Sequence, residues 1–254
     1  MSRWIQIAFL HLRFINLSFW RNPSAAFFGL FFPLMFLTIN SLLLGSNRIP
    51  IAGHEVTLSA FYVASMSVFA VIMSCFTNLA TSILFDRDQG RLKRLRGTPT
   101  PVSAYITARV VFAICVGLLA SGLCVAIGTA FFGVRPDPMN LPLVFAVIAF
   151  GAAVLAALAL AVVGAVPNAH AGPAILNALT FPIVFVSGVF YPLHGAPQWL
   201  NSLAAALPVR PFANSVVSAY FGLPISQHDL LVLLAWGVAG SLIAARSFRW
   251  QPVR

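Results

Sequence analysis

Seventy-two consecutive residues, 138–209, carry no Asp, Glu, Lys or Arg. A spanning helix needs roughly 20 apolar residues, so a run of this length can cross a bilayer twice. Further uncharged runs cover 26 residues between Arg21 and Arg48, 30 between Glu55 and Asp86, 25 between Arg109 and Arg135, and 16 between Asp229 and Arg246. Of the 254 residues 60% are hydrophobic and 8% charged, far from the roughly 25% charged residues of a soluble domain. The chain therefore reads as an all-α integral membrane protein. A soluble enzyme, a secreted disulfide scaffold and a disordered tail are excluded. The formal charge of +10 does not point to nucleic acid, which requires a folded basic face in water.

The breaks between runs predict six spans, at 24–44, 58–85, 104–132, 141–166, 174–190 and 230–245. Pro33 inside the first is tolerable because neighbouring helices can satisfy a freed carbonyl. Polar residues 45–55, with Pro50 and Gly53, read as a loop. The cluster Pro167-Asn168-Ala169-His170-Ala171-Gly172-Pro173 divides the 72-residue run. The last span is short, with residues 224–229 expected near one interface and Arg246 reaching the other. With both termini on one side, twelve Lys and Arg lie on that side and three (Arg48, Arg135, Arg210) on the other. The basic side is expected to be cytoplasmic.

Residues 1–21 have Arg3, His11, Arg13 and Arg21 among aromatics and no small-residue cleavage site, which argues against a cleaved signal peptide. On a helical wheel Trp4, Ile5, Ala8, Leu12, Ile15 and Phe19 form one apolar sector. That suits an interfacial helix, although Phe9, Leu10 and Leu17 on the other faces leave room for contact with protein. Between the last two spans, 191–224 is apolar but rich in breakers. Its middle, Gln198 to Leu203, reads as a short amphipathic helix, and the segment is expected to re-enter the outer leaflet rather than form an ordinary interfacial loop.

The three cysteines, Cys75, Cys115 and Cys124, lie in apolar runs without metal or redox spacing and read as small buried hydrophobes. No ionisable residue falls near the middle of a predicted span, unlike the proton relays of many carriers. His170 and His194 sit in breaker-rich turns. There is no paired carboxylate, no metal-spaced cluster and no nucleophile elbow, so no catalytic residue, metal or cofactor of its own is expected. Nor is there a phosphate-binding loop, since the single lysine, Lys93, is followed by Arg94. If transport is ATP-driven, ATP and Mg belong to another chain.

The one dense charge cluster is residues 86–97. Gly97, Thr98 and Pro99 would end a short helix in which Leu92 and Leu95 share a face among basic residues. In a partner's groove each leucine would contribute about 1.5–3 kcal/mol. As a plain charged loop the segment would enforce topology and bind anionic lipid, at about 1 kcal/mol per basic residue. Composition slightly favours the second reading.

The order of residues shifts that balance. R-D-Q-G-R-L-K-R-L-R-G-T-P, followed by Tyr105 and Arg109, resembles the R-E-x-G-x-L-x-R-L-R-x-T-P signature after the second span in permease subunits of type 2 ATP-binding-cassette exporters. Arg87, Gly90, Leu92, Arg94, Leu95, Arg96, Thr98 and Pro99 match, and Asp88 replaces the usual Glu. Phe181 to Pro192, then Pro197-Gln198-Trp199-Leu200, is similar to the family's fifth span, its exit and its external helices. The drug and antibiotic efflux branch, daunorubicin-resistance-like, is closest in appearance.

The resemblance implies a coupling helix at 86–97 against an ATP-binding-cassette ATPase present in two copies, with the N-terminal helix clasping the same subunit. It also implies a second permease, identical or homologous, in a prokaryotic plasma membrane. Hydrophobic or amphiphilic cargo fits a path without buried counter-charge. Ser67, Ser74, Asn78 and Thr81 on one face, with Asn177 and Thr180, are candidates to line that path, although small polar seams more often pack helices. Rival readings are export of lipid-linked or carbohydrate material, a non-transport scaffold, and a channel or secondary carrier, the last disfavoured by the absence of an internal repeat.

Overall fold

The computed structural model describes residues 3–51, 54–97, 101–191 and 197–247, and the fold is almost wholly helical. Helix α1 (Arg3–Trp20) is followed by α2 (Pro23–Leu44), the hairpin strands β1 (Arg48–Ile51) and β2 (His54–Thr57), and α3 (Leu58–Asp88). Then come α4 (Arg91–Arg96), α5 (Val102–Phe132), α6 (Leu141–Val163), α7 (Gly172–Val186), α8 (Gln198–Ala206), α9 (Val209–Tyr220) and α10 (Gln227–Ser247). Among the described residues five helices, α2, α3, α5, α6 and α10, are long and apolar enough to cross a membrane.

The fifth predicted span, 174–190, is a shorter helix. Its 15 residues (α7) would measure about 22 Å at 1.5 Å per residue, less than a bilayer core of about 30 Å. Gly188, at φ 75°, turns the chain after α7, and Phe190 folds back against rings of three helices. Its centroid lies 5.0 Å from Phe36 on α2, 5.0 Å from Phe69 on α3 and 4.9 Å from Phe185 on α7. The last helix, by contrast, begins earlier than expected, at Gln227, and absorbs His228 and Asp229, so it is full length.

Helix α3 is the axis of the molecule. Every residue from Leu58 to Thr77 is buried, with α2, α5, α6 and α9 around it. Two helices widen locally into π turns. In α2 this occurs at Phe27–Phe31, where the Phe32 amide reaches back to the Phe27 carbonyl just before Pro33, which has no N–H to donate. In α3 it covers Ile72–Asn78. Asn22 caps the start of α2 by accepting from the Ala25 amide at 3.3 Å, with Pro23 as the first helical residue.

Residues 45–55, expected as a loop, instead contribute to an antiparallel hairpin with Ile49 opposite Val56 and Pro50 opposite Glu55. Alternating exposure along β1 explains how a stretch with Pro50 can pair: this two-stranded ribbon consists of edges only. Part of the apolar sector of α1 packs on protein: Ile15 is buried and Ala8, Leu12 and Phe19 are half-buried against α5, while Trp4 and Ile5 stay exposed. Phe9, Leu10, Phe14, Leu17 and Trp20 form the exposed faces.

The α8–α9 corner penetrates the bundle. Trp236, ten residues into α10, donates to the Ala206 carbonyl at 2.8 Å, and Phe212 lies fully buried against Gly151, midway along α6. A Cβ on Gly151 would stand 2.2 Å from the Phe212 ring. Gly151→Ala is therefore expected to destabilise the protein by about 1–3 kcal/mol, with Phe212→Leu in the same chain restoring part of the loss. A detergent thermal-stability series of the two single variants and the double variant measures this coupling.

Candidate functional site

Three successive residues at the end of α3 point in two directions. Asp86, 3% exposed, faces α4 and α5. It accepts from Arg91 at 2.9 Å, from the Tyr105 hydroxyl at 2.5 Å and from Arg109. Tyr105 and Arg109 are four apart on α5, so one helical face presents both, and Arg109 Nε also donates to the Tyr105 oxygen at 3.1 Å.

Arg87 points the other way and is completely buried. Its guanidinium donates to the carbonyls of Val163 at 3.0 Å, Val166 at 2.9 Å and Pro167 at 3.0 Å, and lies 3.3 Å from Asp88. These are the last carbonyl of α6 and those of the turn after it, groups that a helix leaves without internal partners. A cation at that end also meets the negative pole of the helix dipole. Asp88 completes the clamp by accepting from the Ala169 amide at 2.5 Å. In this chain the shorter carboxylate reaches the turn directly.

Gly90, at φ 67°, then reverses the chain into α4, which is six residues long, so Asp86–Asp88 belong to α3 and not to the predicted 86–97 helix. The structure also corrects the leucine face. Leu92 is 1% exposed and packed in this chain's own core, and Leu95 is half-buried against that core. Leu92 is thus unavailable to a partner's groove, since this chain's own core already buries it. What α4 presents outward is Lys93 and Arg94, with Arg91 exposed along most of its side chain yet tied to Asp86. The backbone at Arg96 ends α4, and Thr98 and Pro99 lie outside the described residues.

Helix α1 joins the same cluster through His11, whose ring stands edge-on to Tyr105 at 5.7 Å. Burial, and then the Arg109 charge, lower its pKa below the ordinary histidine value. Sequence reasoning placed Asp86 in the coupling segment without a role of its own, and did not place His11 or the carbonyls of the α6–α7 turn in the site. The available signal was Asp86 itself, a carboxylate at the end of an apolar run that could be buried only with partners.

The candidate pathway residues do not share one wall. Ser74 and Asn78 face a cleft formed with α1, α2 and α5. Thr180 lines a separate apolar hollow between α3, α6, α7 and α10. Ser67 is buried, donates to the Val63 carbonyl at 2.8 Å and receives Ser121 on its own carbonyl at 3.3 Å, which makes it a packing contact between α3 and α5. Thr81 and Asn177 are half-buried.

Among the described residues no group of three or more His, Cys, Asp or Glu is placed to hold a metal. The polar cluster contains no nucleophile paired with a base. It can brace helices and transmit displacement between them, which is the work of a membrane-embedded transport subunit. The family comparison agrees: residues 8–221 match the ABC-2 type transporter family, and the chain belongs to it. The chain is 24% identical over 226 residues, 87% of it and 76% of the relative, to the protein named "Putative transport permease ycf38" of Porphyra purpurea. It is 23% identical over 216 residues, 85% of it and 86% of the relative, to "Putative transport permease YvfS" of Bacillus subtilis.

Two outcomes follow. Arg87→Met leaves three carbonyls and one oxygen of Asp88 without their donor and is expected to cost about 3 kcal/mol, whereas Arg91→Met, on an exposed side chain, should cost under about 1 kcal/mol. Thermal unfolding in detergent separates the two. For His11, the folded state binds the proton more weakly than the unfolded chain does. Stability is thus retained above the usual histidine range and falls as the pH drops through about 6.5. Protection factors along α1, exchange rates corrected for the intrinsic slowing of amide exchange at lower pH, should fall on acidification, and His11→Asn should remove that dependence.

Proposed function

We propose that this chain is the membrane-spanning subunit of an ATP-driven exporter that moves hydrophobic or amphiphilic compounds, drugs and antibiotics among them, out of a prokaryotic cell. The observation that carries the reading is α4, a basic helix anchored through Leu92 and Asp86 and presenting Lys93 and Arg94 outward. A separate ATP-binding-cassette subunit, in two copies, docks on that surface and supplies ATP and Mg. A second permease, identical or homologous, completes the assembly. The α4 end and both termini are cytoplasmic, a placement supported by the twelve-to-three distribution of basic residues that the six-span topology gives. The α8–α9 corner re-enters the outer leaflet, where α6 and α10 bury its backbone.

Closure of the ATPase pair pushes on α4. Because Asp86 ties α4 to α3 and α5, and Arg87 ties α3 to the α6–α7 turn, the push reaches four helices without any side chain reacting. The ligand-bound ATPase favours one of two arrangements of the bundle, which is what coupling requires. Cargo without a fixed charge suits the spans, whose described middles contain no ionisable group.

The test is the double substitution Lys93→Glu/Arg94→Glu in a chain co-expressed with its ATPase. Recovery of the ATPase with the purified permease should fall at least about tenfold, the equivalent of about 1.4 kcal/mol, while the permease remains inserted and monodisperse. Undiminished recovery overturns the docking assignment. Leu92→Asp should behave differently, lowering the stability of the permease itself.

A further inference from the structure

A hollow of about 250 Å³ lies between α3, α6, α7, α10 and the α8–α9 corner. Helix α7 packs on α3 and on the corner, whereas α10 packs on α6 and α9, and the hollow is the space left between these two groups. Ile72 and Phe76 line it from α3, Leu155 and Leu158 from α6, and Leu207 and Pro208 from the corner, which Trp236 holds through the Ala206 carbonyl. Thr180 is near the middle of α7 and Trp236 near the middle of α10, so the hollow sits at mid-height in the bundle. Leu179 lines it and is also exposed on the surface, so it opens toward the lipid.

One group of this lining is polar and unsatisfied. Thr180 is 4% exposed, and its hydroxyl has no hydrogen-bond partner among the described residues. A helical Ser or Thr can give its proton to a carbonyl one turn back, as Thr38, Ser67 and Ser74 do here to Leu34, Val63 and Ala70. Thr180 makes no such bond and keeps its proton for another acceptor. It does so on the wall of an apolar hollow, where an unpaired hydroxyl is costly.

Size and chemistry decide what fills the space. A water molecule needs about two to four polar partners and would find one. A phospholipid acyl chain would fill the volume, but its ester oxygens stay in the interfacial layer, so at mid-height it would leave Thr180 unpaired. A dry cavity of about 150 Å³ lined by aliphatic and aromatic side chains takes up benzene. The larger volume here has room for two rings.

From these features we infer that the hollow binds, from the membrane, a neutral two-ring compound with a single acceptor oxygen, to which the Thr180 hydroxyl donates. Such a compound belongs to the hydrophobic class proposed above as cargo. The word cargo rests on that exporter reading, whereas the chemistry of the ligand rests on the hollow and on Thr180.

The experiment uses the purified full-length permease in phosphatidylcholine nanodiscs. The probes are benzophenone and its methylene analogue, in which a CH₂ group replaces the carbonyl oxygen; the two share a shape, and only the first carries an acceptor. With affinities expressed per mole fraction of probe in the bilayer, benzophenone should bind about fivefold more tightly, the size of one neutral hydrogen bond. Thr180→Val, which keeps the shape and removes the donor, should bring the two affinities together. Its thermal unfolding midpoint should not fall, because the hydroxyl has no partner to lose. Illumination of bound benzophenone should leave saturable adducts on Leu179, Ile183 and Leu207.

Equal affinities in the unsubstituted protein, a preference that survives Thr180→Val, a lowered midpoint, or saturable adducts confined to other segments overturns the site. Absence of saturable binding by either probe would give the hollow to a lipid acyl chain and overturns it as well. ATP hydrolysis by the co-expressed partner, measured with benzophenone, separates the two proposals. Thr180-dependent binding without stimulation supports the site and counts against the exporter reading. Stimulation undiminished in Thr180→Val supports the exporter reading and takes this site off the cargo route.

Discussion

A buried arginine with three carbonyls around it organises one end of this protein. Arg87 is at 0% exposure, and a guanidinium there is tolerable only because its N–H groups meet the unsatisfied carbonyls after α6 and the carboxylate of Asp88. The arrangement satisfies two needs together. The turn between α6 and α7 is a breaker-rich segment whose carbonyls have no helical partners, and the end of α3 carries a charge that cannot be left in an apolar core. Each compensates the other, and the α6–α7 turn is thereby attached to the central helix.

The neighbouring residue extends the same logic in the opposite direction. Asp86 gathers Arg91, Tyr105 and Arg109, and Tyr105 touches His11, so α1, α3, α4 and α5 meet around a single carboxylate. Because α3 is enclosed by the other helices along most of its length, a displacement at α4 cannot be absorbed locally. It must be shared by the helices that α3 contacts. A small basic helix on a stiff, buried stem is a suitable element for receiving force from another protein, and the family to which the chain belongs makes an ATP-binding-cassette subunit the natural source.

Much of this was legible in the residues. The charge-free runs located the five long helices, and the breaker clusters located their ends to within a few positions. The R-D-Q-G-R-L-K-R-L-R order led to the correct family. The directions of side chains were not legible. Leu92 and Leu95, three apart among basic residues, looked like an outward docking face, yet Leu92 closes inward into this chain's own core, which no local pattern reveals. Ser74 on the second span and Thr180 on the fifth read as candidates for one path, yet they line separate hollows. The hairpin at 48–57 was missed because Pro50 and Gly53 signal a turn equally well with or without paired strands.

What the sequence determined by itself was the solvent of each segment: which stretches belong in lipid, where they stop, and where the basic residues concentrate. That information is local, since the cost of burying a charge or an unpaired peptide group is set residue by residue. What only the tertiary structure decided was partnership: which carbonyls receive Arg87, which helix covers Leu92, and which polar side chains share a cleft. Those contacts join residues far apart in the chain, as the 81 positions between Asp88 and Ala169 show. They depend on the relative rotation of whole helices, a quantity that similar apolar faces leave open until they pack.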